Sequence, residues 1–381
     1  MDEPTTLDLK SCLSDAAFAF RGYNVTNLGR SPELLEHPAY GPVLERFLRE
    51  ASKTCAEITG RRVNLVRRVR QRQDTTLATY HEALAMIIAV EMAQLQMLRE
   101  FCGVEYRDAQ LAFGYSLGEI STLVAGGVLE MSDAISVPVA MAADCAALAE
   151  DVTLGVLFSR GPELPHELIR RGCLEINLQA RGAIGVSTFL SPNSVLLLGQ
   201  SDTVDRFRDW IGEAWDERAY LRKNDNLWPP LHTPIVWQRN VQDRSELMMQ
   251  TLTCKLARPQ PKVLSMVTGE DSYDELNTRE MLGKWIDRPQ RLWDVVYETL
   301  QQGVATIVHV GPQPNLIPAT FSRLADNVES QTRGSIHLRA LANIVRRPWL
   351  NTVLPSRTAL LRAPMIEHVV LEDWLLAQEV E

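Results

Sequence analysis

A serine flanked by two glycines, Gly114-Tyr115-Ser116-Leu117-Gly118, follows the apolar run Gln110-Leu111-Ala112-Phe113 and precedes Ser121-Thr122-Leu123-Val124-Ala125-Gly126. The first run reads as a strand and the second as a helix. The order is therefore strand, sharp turn, helix, with Ser116 at the apex. Glycine on each side allows a tight turn and lets other groups approach the hydroxyl. The turn places the serine at a helix N-terminus, where unpaired N–H groups can meet a developing oxyanion. Gly-x-Ser-x-Gly occurs often by chance, so the flanking order carries more weight than the motif. It predicts an α/β fold: a large α/β-hydrolase-like domain with a parallel central sheet.

The match extends further. Gly114-Tyr115-Ser116-Leu117-Gly118-Glu119, followed by Val124-Ala125-Gly126-Gly127-Val128-Leu129-Glu130-Met131-Ser132-Asp133-Ala134, resembles the nucleophile segment of malonyl-CoA:acyl carrier protein transacylases and polyketide synthase acyltransferase domains. The resemblance runs from about Phe18 to about Leu324. That family usually has histidine before the serine, where this chain has Tyr115. The resemblance implies an acyl group passing from a coenzyme A or carrier-protein thioester, through an acyl-serine, to acyl carrier protein in fatty acid or polyketide synthesis. No bound cofactor or metal is implied. Acyl-CoA and phosphopantetheinylated acyl carrier protein would be substrates and partners.

The bulk sequence fits that class. A chain of 381 residues suggests a large domain with an insertion. A net charge of −9 argues against nucleic acid as a partner. The arginines from Arg61 to Arg72 are a candidate basic patch for an acidic carrier, or a solvated helix face. Six scattered cysteines without Cys-x-x-Cys suggest neither a disulfide framework nor a zinc site. Ala83 to Leu98 is broken by Glu91, Gln94 and Gln96 and reads as a core helix rather than a membrane span. With an acidic, polar start, these features predict a cytoplasmic protein.

Along the chain, Ala16 to Phe20 reads as a buried first strand ending at Arg21-Gly22-Tyr23-Asn24. The family has Pro-Gly-Gln-Gly there, and the residue after the first glycine lends its backbone N–H to the oxyanion hole. That residue is Tyr23, and Leu117 would supply the second donor. A helix is predicted from Ser31 to about Thr59, another from Ala83 to Phe101 and a third from Asp133 to Glu150. His81 falls near a family glutamine and is given no catalytic role.

From Leu154 the pattern becomes β-α-β-β-α-β and reads as a ferredoxin-like unit, which the family also carries at this point. The expected domains are 1–150 with 232–325 (catalytic), 151–231 (small subdomain) and 326–381 (C-terminal extension).

Trp228-Pro229-Pro230-Leu231-His232-Thr233-Pro234 closes the insertion, and its prolines make a rigid, extended segment. Serine needs a base within hydrogen-bond reach, and His232 alone of seven histidines has such a setting. The resemblance assigns it as general base, oriented by a backbone carbonyl matching Trp285. Asp287 is an alternative carboxylate partner.

Malonyl-using members carry an arginine about 25 residues after the serine. The corresponding residue here is Met141. A free carboxylate needs a fork of donors, which arginine supplies and methionine does not. Met141 and Leu231, the latter at a position the family varies with acyl identity, are assigned to an acyl pocket for a group without a free carboxylate; plain core packing is an equal reading of Met141, and another arginine reaching in from elsewhere would still admit malonyl. Val263 to Gly269 reads as a strand, and Leu282 to Gln301 as helical with a break at Pro289. Ala305 to Pro312 resembles the family's closing strand and turn, with His309 in place of its acid. Met365 to Leu376 reads as a helix in the tail. Two other readings stand beside transfer: a thioester hydrolase, and a non-catalytic carrier-docking module suggested by the departures at Tyr23, Asn24, Tyr115, Met141 and His309.

Overall fold

Residues 7–160, 162–332 and 358–380 are described here by a computed structural model. The protein is α/β. A five-stranded sheet of order β7-β2-β1-β8-β9 is parallel at every pairing. Its strands are β1 (Ala16–Phe20), β2 (Leu111–Gly114), β7 (Val263–Leu264), β8 (Thr306–Val310) and β9 (Glu367–Val370). All five residues of β1 are buried. The alternation of strand side chains divides them between two cores. Phe18 and Phe20 face one with α2 (Tyr40–Thr59), α4 (Tyr80–Cys102) and α6 (Met131–Ala149). Ala17 and Ala19 face the other with α11 (Leu292–Gln301) and α12 (Leu316–Thr332).

The second sheet is antiparallel, of order β4-β5-β3-β6. Its strands are β3 (Val152–Ser159), β4 (Ile184–Ser191), β5 (Ser194–Gln200) and β6 (Ala219–Asn224). The helices α7 (His166–Asn177) and α8 (Thr203–Ala214) lie between them in sequence. Their own apolar core contains Ile169, Phe207 and Val195. This sheet is tied to the main body by backbone: Phe189 N–H donates to Gln290 O at 2.9 Å, and Gln290 N–H to Ser187 O at 2.8 Å.

Several elements are shorter than the sequence suggested. The first helical stretch is two helices, α1 (Ser31–Glu36) and α2, separated at His37-Pro38. Proline disfavours a helical conformation in the residue before it. The arginine-rich segment forms one short helix, α3 (Leu65–Arg70). Its charges are largely paired: Arg68 with Glu82, Arg70 with Glu45, and Arg72 with Glu33 and Glu36. Arg61 and Arg62 remain exposed. Strand β7 ends at Leu264 because Ser265 turns its hydroxyl to buried Glu119 (2.6 Å) and accepts the Val267 N–H. Around Pro289 lie α10 (Thr278–Asp287) and α11.

Helix α6 is long and apolar enough to cross a membrane by length and composition, but it packs against α2, α4 and α9 (Val241–Met249).

The tail departs most from expectation. Thr358–Met365 is a 3-10 helix, Glu367–Val370 is β9, and only Leu371–Leu376 is α-helix, α13. Strand β9 pairs with β8 in the register Val308↔Val369, so this part of the tail completes the main sheet. The proline-punctuated stretch before Thr358 lies mostly outside the described residues.

Candidate active site

The elbow between β2 and α5 (Leu117–Ala125) forces Ser116 to φ 53° and ψ −118°, a strained conformation of the kind that clusters at functional sites. A Cβ on Gly114 would lie 2.1 Å from the Gly118 backbone, and one on Gly118 would lie 2.4 Å from Phe20 O. Both glycines of the motif are thus sterically required. Behind the elbow, Glu119 accepts from Ser265 Oγ and, at 2.9 Å, from Tyr273 OH. Burial pushes its pKa up to about 7.

Ser116 Oγ lies 2.8 Å from His232 Nε2. His232 Nδ1 lies 2.7 Å from Trp285 O, and the His232 backbone N–H donates to Ile286 O at 2.7 Å. These two carbonyls belong to the last turn of α10, where helical carbonyls lack intrahelical partners. A carbonyl only accepts, so Nδ1 carries the proton. Nε2 is left with a lone pair facing the serine hydroxyl. His232 is buried, with φ 65°. Burial lowers its pKa to about 4 against the opposing pull of the Trp285 carbonyl. Its ring meets the Trp285 indole edge to face, and Trp285 Nε1 donates to Ser116 O at 3.0 Å. Asp287 is not part of this set: its carboxylate accepts from Trp237 Nε1.

The loop after β1 lies against the elbow. A Cβ on Gly22 would lie 2.6 Å from Tyr115 O. Buried Arg21 donates from Nε to Gly22 O at 2.8 Å and from Nη1 to Pro312 O. Holding the Gly22 carbonyl fixes the Gly22–Tyr23 peptide, and the Tyr23 N–H points to its opposite side. Among the described residues, no acceptor meets the N–H of Tyr23 or Leu117. Asn24 stands where the family has a second glycine. It needs no positive φ here, and reciprocal bonds with Asn27 hold the turn.

Two cavities meet at Ser116. The inner one is lined by Tyr23, Leu117, Met141, Leu231 and Trp285, all singled out from the sequence, with further apolar side chains. Met141 is buried and also belongs to the main core. The outer cleft lies toward the second sheet and contains His232, Trp228, Asn224 and Arg323. His81 lines neither cavity, but Tyr80 lines both.

Two contributors were not found from sequence. Gln290 is fully buried; its Oε1 accepts the Ser116 N–H at 3.2 Å and its Nε2 lies 3.2 Å from His232 Nδ1. Thr188 Oγ1 lies 2.8 Å from Tyr115 OH. Their only sequence signal was proximity to Pro289 and to a predicted strand.

No family model matches the chain. It is 24% identical over 226 residues to the polyketide synthase GfsA of Streptomyces halstedii, covering 59% of this chain and 3% of that protein. The chain thus spans a small fraction of the length of the first curated relatives it matches. It is 21% identical to the malonyl CoA-acyl carrier protein transacylase of Bacillus subtilis, over 79% of this chain and 87% of that one. Among solved structures, PlMCAT, a malonyl-transacylase in complex with the type II polyketide synthase acyl carrier protein AntF, superposes with a TM-score of 0.60 at 22% identity, covering 81% of this chain and 92% of that one. The chain therefore has the fold of the malonyl-CoA:acyl carrier protein transacylases and resembles them, and polyketide synthase acyltransferase domains, in sequence.

Proposed function

We propose that the protein is an acyltransferase working through an acyl-Ser116 intermediate. The observation that carries this reading is the Ser116–His232–Trp285 relay at 2.8 and 2.7 Å. Ser116 Oγ attacks the thioester carbonyl carbon while His232 Nε2 takes the hydroxyl proton. The tetrahedral oxyanion is held by the N–H groups of Leu117 and Tyr23, each such donor contributing roughly 100–1000-fold in rate. Collapse breaks the C–S bond, and His232 returns its proton to the departing thiolate. The phosphopantetheine thiol of an acyl carrier protein then reverses these steps. Binding an acyl carrier protein is a property of PlMCAT and is proposed for this chain on that likeness. The outer cleft is the route by which the arm reaches Ser116.

Free cysteines, six in all, fit a reducing, cytoplasmic setting. We infer that the catalytic domain is α/β-hydrolase-like and that β3 to β6 form a ferredoxin-like subdomain. The latter is supported by its β-α-β-β-α-β order and by residues 151–231 falling between two parts of the catalytic domain. The 326–381 extension is a looser division, since α12 crosses its start.

The test is intact-protein mass after mixing with acyl-CoAs, beside Ser116→Ala, followed by addition of holo carrier protein. A mass gain that requires Ser116 and is discharged to the carrier thiol is expected. Discharge as free acid whether or not carrier is present would replace transfer with hydrolysis. Folded protein with no adduct from any donor would remove catalysis.

A further inference from the structure

The inner cavity is a narrow, largely apolar space of about 50 Å³ that opens at its mouth. One end is Ser116. From there the wall runs along α6 and α9, through Leu129, Val137, Met141, Met249 and Leu252. Val137 and Pro138, midway along α6, are half-buried and line this space.

The chemistry of the wall is one-sided. Among the described residues, no arginine, lysine or histidine lines it. The charged residue among the described lining residues, Asp133, is acidic and accepts the Thr253 N–H at 3.1 Å. Cys145 is buried, and burial pushes its thiol up to about 12, so it acts as a small apolar group. A carboxylate at the end of an acyl group would find no cation among the wall's own described side chains, an apolar surround and one like charge; the guanidinium of Arg279 lies behind the wall, where its Nη2 donates to Leu252 O at 2.7 Å. A methylene chain would find contact along its length.

We infer that the acyl group carried by Ser116 is a neutral aliphatic chain, seated between α6 and α9, and that dicarboxylic acyl groups are excluded. Val137 and Met141 set how far the chain extends. This rests on the acyl-serine reading of the site. The step is the one already described: the Oγ–C bond forms, the C–S bond breaks, and the proton passes through His232 to the thiolate.

Binding separates this inference from the catalytic one. Ser116→Ala protein is titrated calorimetrically with acetyl-, butyryl-, hexanoyl- and octanoyl-CoA, with malonyl- and methylmalonyl-CoA, and with free coenzyme A. Affinity is expected to rise up to about fourfold per methylene until the cavity is filled. The best neutral donor should bind roughly 100-fold or more tightly than malonyl-CoA. Val137→Phe in the same background should move the optimum to a shorter chain while leaving free coenzyme A binding unchanged. Malonyl- or methylmalonyl-CoA binding as tightly as the best neutral donor would overturn the inference. So would affinity independent of chain length, or an optimum unmoved by Val137→Phe. These outcomes are read without turnover, so failure of wild-type protein to form an adduct counts against the acyl-serine reading alone.

Discussion

Gln290 Oε1 accepts the backbone N–H of Ser116 at 3.2 Å, while the same amide's nitrogen lies 3.2 Å from His232 Nδ1. One buried side chain thus touches both the proposed nucleophile and the proposed base, and its own backbone bonds to β4 on either side of Thr188. The Nδ1 contact is packing rather than a hydrogen bond, since Nδ1 already donates to Trp285 O. Gln290 is therefore a positioning residue.

Gln290→Leu leaves the backbone bonds intact and strands the Ser116 N–H. Losing a buried partner costs about 1–3 kcal/mol, so acylation should slow roughly 10- to 100-fold with little change in substrate KM. Pre-steady-state acylation rates would show this. An unchanged rate would make Gln290 purely structural.

His232 acts as a base only when neutral. Burial holds its pKa at about 4, below the ordinary 6.5. Acylation rate should then be flat from pH 8 to about 5 and fall about tenfold per unit only below 4. A log rate–pH profile breaking near 6.5 would contradict a buried, desolvated base.

The parts of this site that were legible in sequence are those fixed by short-range geometry. The glycines around Ser116 are required by contacts within the elbow and with the adjacent strand, and the prolines around His232 announce a rigid segment. The family resemblance pointed to Tyr23, Trp285, Leu231 and Met141, all four of which line the inner cavity; the proposed roles run through backbone or plain apolar surface and so tolerate changed side chains. Gln290 and Thr188 were hidden because their contacts span 174 and 73 residues of chain. Strand β9 was hidden for a related reason. Val369-Val370-Leu371 is an apolar run that reads equally as helix, and its pairing with β8 decides the matter.

Tyr115, beside Ser116, bonds Thr188 on β4, the second tie between the elbow and the smaller sheet. Tyr115→Phe and Thr188→Val should each destabilise the protein by about 1 kcal/mol. The double variant should be less destabilised than the sum, with coupling of about 0.5–1.5 kcal/mol. Denaturant midpoints for the four proteins measure this. Strict additivity would show that the hydroxyls do not interact.

The tail should be acid-sensitive at one place. His309 Nε2 and His368 Nδ1 lie 2.9 Å apart, bridging β8 and β9. One ring must donate and the other accept, so protonating both breaks the bond and sets two cations together. Burial lowers both pKa values, His309 to about 3 with His368 as a second cause. Below 6.5 the unfolded chain takes up protons that these folded histidines refuse, so stability is lost as pH falls from 6.5 toward the folded values. Strand β9 is the edge of the sheet, and its amides should exchange faster as pH drops from 7 to 5, after correction for intrinsic exchange, while β1 amides change less. His309→Leu with His368→Leu removes both titrating groups and should flatten that difference. An equal response of β9 and β1, or a response that survives the double substitution, would place the acid sensitivity elsewhere.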